Sequence, residues 1–127
     1  KRLLRRMDEA EELTRRNRTM TLTIAFNYGG RAEIVDAVRS LVAEGMPADR
    51  INEKAIRSHL YLPDMPDPDL VIRTSGEFRI SNFLLWEVAY SELVFTDVLW
   101  PDFRRENLFE AVREFQRRDR RFGGLDV

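Results

Sequence analysis

The sequence predicts an α/β fold with a parallel central sheet flanked by helices. Three observations carry this expectation. Apolar residues recur at helical spacing in segments separated by short strand-like runs, in the order helix, strand, loop, helix, short helix, strand, loop, helix, strand, helix. Leu70-Val71-Ile72 is apolar without alternation, the pattern of a strand covered on both faces. Strands separated by helices are joined by right-handed crossovers, which set them parallel.

Each element has a local reason. Residues 3–17 place Leu3, Leu4, Met7, Ala10 and Leu13 on one face between charges, as in an amphipathic helix. Residues 20–26 alternate large apolar and small side chains with period two and are rich in β-branched types, which predicts a strand. A sharp loop, 27–30, leads into a helix carrying Ile34, Val35, Val38, Leu41 and Val42, stopped by Gly45 with Pro47 two residues on. Asn52 is placed to cap a short helix over 53–60, with Ile56 and Leu60 inward. A proline-punctuated loop, 63–68, precedes the strand at 69–72. Residues 74–81 read as polar loop, and 82–90 as a helix that is apolar almost all round and therefore buried. Residues 93–95 are a short strand. The last helix begins at Asp102 or Phe103, turns Leu108, Phe109, Val112 and Phe115 inward, and ends at 122–124.

Composition narrows the function. Of 127 residues, 43% are hydrophobic, enough for a packed core; 21 basic residues stand against 22 acidic, a net charge of −1. Such balance argues against nucleic-acid binding by bulk charge. Cysteine is absent, which excludes disulfides, thiolate metal sites and a cysteine nucleophile. The longest uncharged run is twelve residues, 19–30, against the roughly 20 apolar residues of a membrane-spanning helix. No signal-peptide pattern opens the chain, so the expected setting is the cytoplasm. Lysine occurs only at Lys1 and Lys54, a bias that codon usage explains. The chain begins inside a helical pattern and reads as a piece of something longer.

Ligands of parallel sheets sit beyond the carboxyl ends of the strands. Two loops leave those ends, 27–31 and 73–81. In the second, Arg73 follows a strand, Thr74-Ser75-Gly76 offers hydroxyls and backbone N–H groups, and Arg79 and Ser81 come next. Two guanidinium forks suit the oxygens of a diphosphate, and a helix starting near Asn82 would add its positive end. On spacing alone, ion pairs of these arginines with Glu77 and Asp69 explain them equally well. Gly29-Gly30-Arg31 offers either close backbone approach to an anion or simply a tight turn. Glu92, in apolar surroundings, is a candidate Mg²⁺ ligand or the partner of an arginine. His59, the single histidine, reads as structural, at the end of a short helix. Phe83, Trp86, Tyr90, Phe95, Trp100 and Phe103 read as core or partner surface. No Walker lysine motif, dinucleotide glycine fingerprint or nucleophile elbow occurs.

Residues 69–103, DLVIRTSGEFRISNFLLWEVAYSELVFTDVLWPDF, closely resemble the C-terminal signature of the cis-prenyltransferases, the isoprenyl transferases typified by undecaprenyl diphosphate synthase. Residues 21–38, TLTIAFNYGGRAEIVDAV, resemble that family's preceding strand, turn and helix, and RDRRFGG at 118–124 its C-terminal Arg-X-Gly motif. The resemblance implies a cis-prenyltransferase fold, and an enzyme that condenses isopentenyl diphosphate onto an allylic diphosphate with Mg²⁺, making a Z double bond at each step. It implies that Arg73, Arg79 and Ser81 hold the diphosphate of isopentenyl diphosphate and that Glu92 helps bind Mg²⁺. It implies that Arg121 and Gly123 reach the partner's active site across a homodimer. Trp86 to Trp100 would serve the core and the dimer contact, and Met20, Leu22, Ile24 and Phe26 include candidate tunnel walls for the growing chain.

The sequence departs from the family in two ways. It has no Asp-Gly dipeptide and no Ser-X-Glu-Asn-Trp segment, the marks of the family's N-terminal half. Residues 1–127 are therefore expected to be the C-terminal half of one domain, inactive alone. Phe78 stands where some members carry a polar residue and receives no catalytic role. The expected partners are the two diphosphate substrates and a second copy of the chain, with contact at the membrane periphery through the lipid product and no nucleic acid. The alternative is a non-catalytic scaffold subunit of a prenyltransferase complex; the presence of Arg73, Arg79, Ser81 and Glu92 together speaks against it.

Overall fold

The computed structural model describes residues 2–119. The segment 120–127, with Arg121 and Gly123, lies outside the described residues. The elements are α1 (Arg2–Thr14), α2 (Gly30–Ala43), α3 (Glu53–Arg57), β1 (Leu70–Arg73), β2 (Glu92–Phe95) and α4 (Arg105–Gln116), with 3₁₀ turns at Ala48–Arg50, Glu87–Tyr90 and Trp100–Asp102.

β1 and β2 pair in parallel, Leu70 opposite Glu92 and Arg73 opposite Phe95. The ladder extends one bond past each end, from the Glu92 amide to the Asp69 carbonyl and from the Thr96 amide to the Arg73 carbonyl, both 2.9 Å. The expected α/β class with a parallel sheet is therefore present. β1 is only half-buried, however, because each strand of this two-stranded sheet is an edge.

α2 buries Gly30, Glu33, Ala37 and Leu41, a single helical stripe. It ends as its sequence predicts. Gly45 takes φ +73, its amide bonds to the Val42 carbonyl and the Met46 amide to Leu41, a Schellman closure of the last turn. Asn52 Oδ1 accepts from the Ala55 amide at 3.0 Å and caps α3, which is shorter than the predicted 53–60. The buried apolar side chains among the described residues are Ala37, Leu41, Leu60, Val94 and Ala111.

Three expectations need correction. Residues 20–26 are extended, but no strand forms there: the described sheet contains only β1 and β2, and without a ladder partner Met20, Leu22, Ile24 and Phe26 stay 72–76% exposed. Residues 82–90 are not a helix. Ser81, Asn82 and Leu84 take φ of 49, 64 and 46, the left-handed region that no right-handed helix admits, and only the turn Glu87–Tyr90 remains. α4 starts at Arg105, after a proline-containing 3₁₀ turn, and exposes Leu108 and Phe109 rather than burying them. Of the aromatics read as core or partner surface, Tyr90 and Trp100 lie on the surface, with Trp100 stacked on Phe103 at 6.0 Å.

Candidate functional site

Arg73 is the last residue of β1, so the pleat and the ladder fix its backbone before its side chain does anything. It lines a cavity of about 250 Å³ together with Arg79, whose other walls include Ile72, Ile80, Phe83, Leu93 and Phe95. The Nε of Arg73 is buried and has no hydrogen-bond partner. An unfilled guanidinium donor beside a second guanidinium, on apolar walls, is a place for an anion with a greasy neighbour. Arg79 is paired with Glu77, as one of the two readings of the sequence had it, and that pair is largely exposed on the arginine side.

The neighbouring loop contributes less than its sequence suggests. The Ser75 amide bonds to the Val98 carbonyl at 2.9 Å and the Gly76 amide to Thr96 at 3.0 Å. Those two donors are therefore committed to the loop after β2. Gly76 holds φ +66, and a Cβ there would lie 3.0 Å from Asp97 Oδ1. Ser81 is exposed and does not line the cavity. Phe78 is 75% exposed, its ring 5.1 Å from that of Phe95.

The Gly29-Gly30 turn is closed rather than open to an anion. The Gly30 amide donates to the Asn82 carbonyl at 2.8 Å and the Arg31 amide to Asn82 Oδ1 at 2.9 Å. Asn82, expected to open a helix of its own, instead caps α2. Only its tolerance of left-handed backbone signals this in the sequence.

Glu92 is bonded to Arg118, whose Nη1 lies 2.9 Å from Oε2. No group of three or more His, Cys, Asp or Glu side chains able to hold a metal occurs among the described residues. Glu92, engaged by Arg118, would hold Mg²⁺ only together with further oxygen ligands such as substrate phosphates. His59 is structural: Nδ1 lies 2.8 Å from the Ala55 carbonyl and Nε2 3.1 Å from the Glu44 carboxylate.

A second, more open cavity of about 500 Å³ lies between the extended segment 23–28 and the loop after α3, with Ile24, Phe26, Leu62, Met65 and Leu84 among its walls. Two buried carboxylates adjoin it, which the sequence reading missed. Glu33 accepts the Tyr28 hydroxyl and, at 3.0 Å, the Tyr61 amide. Burial, followed by the bond to Glu33, pushes the Tyr28 hydroxyl well above its ordinary value. Glu87 is also buried, and desolvation raises its carboxyl. Glu33 was findable, because it falls on the Gly30–Ala37–Leu41 stripe of α2.

Fold and cavity together define a class: an α/β protein with a cationic, apolar-walled cavity at the carboxyl ends of parallel strands. The family model described as undecaprenyl diphosphate synthase matches residues 1–123, and the chain belongs to this prenyltransferase family. The isoprenyl transferase of Thermotoga maritima is 53% identical over 125 residues, 97% of this chain and 54% of its own length. The tritrans,polycis-undecaprenyl-diphosphate synthase (geranylgeranyl-diphosphate specific) of Pyrococcus furiosus is 54% identical over 120 residues, 91% of this chain and 46% of its own. The crystal structure of lavandulyl diphosphate synthase from Lavandula x intermedia, in complex with dimethylallyl diphosphate, superposes with a TM-score of 0.88 at 38% identity, covering 95% of this chain and 54% of that one. The chain thus spans about half the length of the relatives it matches. No helix among the described residues is long and apolar enough to cross a membrane.

Proposed function

We propose that this chain is the C-terminal half of a cis-prenyltransferase domain and supplies its isopentenyl diphosphate site. The observation that carries the reading is the buried, unpartnered Nε of Arg73, in one cavity with Arg79. In the reaction, the double bond of isopentenyl diphosphate attacks the allylic carbon. A carbon–carbon bond forms, the bond to the departing diphosphate breaks, and the acceptor loses a proton. The contribution of this chain is positioning: Arg73, on a rigid strand end, grips the acceptor diphosphate so that its double bond faces the allylic carbon. Arg79 exchanges Glu77 for the same diphosphate, and Ser81 adds a hydroxyl at its edge. Charge-assisted bonds of this kind also offset the negative charge gathered in the site.

Mg²⁺ belongs to the reading as an ion that Glu92 would help hold in place of its bond to Arg118, and that would offset diphosphate charge when bound. The exposed apolar face of the segment 20–26 lines part of the channel for the hydrocarbon and is otherwise covered by the N-terminal half. A homodimer, with Arg121 and Gly123 contributed across it, and a cytoplasmic enzyme meeting the membrane through its product complete the proposal.

Kinetics of the full-length enzyme test it. Arg73→Ala should lower kcat/KM for isopentenyl diphosphate roughly ten- to hundred-fold, the worth of about 1.5–3 kcal/mol of charge-assisted bonding. An unchanged value removes Arg73 from the site.

A further inference from the structure

We propose that Asn82 is a positioning residue: it clasps the loop carrying Arg79 and Ser81 to the first turn of α2 and so sets those side chains for the diphosphate. The inference rests on the site reading above and adds to it a residue that touches no substrate.

The clasp joins residues far apart in sequence. Asn82 takes the Gly30 amide on its backbone carbonyl at 2.8 Å and the Arg31 amide on Oδ1 at 2.9 Å. These donors open α2 and have no partner within the helix, so Asn82 replaces the missing turn. The geometry is demanding on both sides. Asn82 stands at φ +64 between Ser81 at +49 and Leu84 at +46, a run that Asn tolerates better than most residues and that a free loop would relax. Opposite, a Cβ on Gly29 would sit 2.9 Å from Asn82 Nδ2, and one on Gly30 would sit 2.9 Å from the Leu85 amide nitrogen. Both glycines are thus small because this loop lies against them. The ring of Phe83 meets that of Tyr28 edge-on at 5.7 Å and closes the contact.

The consequence for the site follows from chain connectivity. Ser81 is the neighbour of Asn82 and Arg79 lies three residues before it, on the short stretch between the clasp and β1. Arg73 is fixed by the sheet, whereas the loop's hold on Arg79 comes from Asn82 at one end and the Ser75 and Gly76 bonds at the other. Loss of the Oδ1 bond leaves Arg73 in place and lets Arg79 and Ser81 drift. That pattern weakens capture of one substrate without disabling the chemistry.

The test uses the full-length enzyme with Asn82→Gly, which keeps the left-handed backbone and removes only the side chain, and Asn82→Ser, which retains an acceptor on a shorter arm. Asn82→Gly should raise KM for isopentenyl diphosphate about tenfold, the worth of one well-placed hydrogen bond. Its kcat and its KM for the allylic substrate should stay within about twofold of the parent. Amide hydrogen exchange at Arg31 should quicken, and Asn82→Ser should fall between Gly and the parent in both readouts. A fall in kcat with KM for isopentenyl diphosphate unmoved indicates a merely structural asparagine and overturns the proposal. So does faster exchange at Arg31 with unchanged kinetics. Arg73→Ala is run alongside: if it raises KM while Asn82→Gly does not, only the clasp fails; if neither moves KM, the site reading fails and takes the clasp with it.

Discussion

Arg118 Nη1 lies 2.9 Å from Glu92 Oε2 and 2.9 Å from the Leu93 carbonyl, so a guanidinium just beyond α4 is bonded to the first two residues of β2. It also meets Glu114, one turn back on α4. The bonds to Glu92 and Glu114 raise the Arg118 pKa above its ordinary value. A single side chain therefore ties the last helix to the sheet, and it does so through the carboxylate proposed to serve the metal.

Arg118→Ala removes both bonds and leaves the half-buried Glu92 without its cation. The charge-assisted value of about 1.5–3 kcal/mol shrinks to about 1–2 here, because a third of the arginine side chain is open to water. Urea unfolding should show that loss as a lower midpoint at unchanged slope. An unchanged midpoint means the tie carries no stability.

Gly30→Ala tests the close approach at the start of α2. The added Cβ would sit 2.9 Å from the Leu85 backbone nitrogen and 3.0 Å from its Cγ, with backbone on the near side that cannot swing away. Ala is the better helix former, so local propensity alone favours the substitution. Crowding outweighs it, and thermal unfolding should show a loss of about 1–3 kcal/mol. A gain in stability would falsify the close-packing account of this turn.

The α2–α3 junction should be pH-sensitive through His59. Its Nδ1 faces the Ala55 carbonyl and its Nε2 the Glu44 carboxylate, so both nitrogens meet acceptors and the imidazolium is favoured. Its pKa is raised, first by the Ala55 bond and then by Glu44. A raised folded value means stabilisation that is fully present below the unfolded value of about 6.5 and is lost as pH rises through the folded one. Melting temperatures of the parent should fall relative to His59→Gln across that interval. Parallel curves for the two proteins contradict the assignment.

What the sequence made legible follows from the range of the forces involved. The stop of α2 at Gly45, the Asn52 cap and the parallel pair β1–β2 depend on a few adjacent residues, and all were readable. Arg73 and Arg79 were readable as a pair because a strand end and a short loop bring them together. The segment 82–90 was not, because its left-handed turns are held by amides fifty residues away in α2. Residues 20–26 have strand composition, but a strand needs a ladder, and no partner for one lies among the described residues. The Arg118–Glu92 bond spans 26 positions with no local pattern to announce it. Both readings of Glu92, metal ligand and arginine partner, were open in the sequence, and the structure shows the arginine.

The most direct test of the account is a crystal of the full-length enzyme soaked with isopentenyl diphosphate. The account places the diphosphate oxygens about 3 Å from Arg73 Nε and within reach of Arg79, with the hydrocarbon lying along Ile72, Phe83 and Leu93. Density for the head group away from the end of β1, with the Arg73 nitrogen still unpartnered, contradicts it.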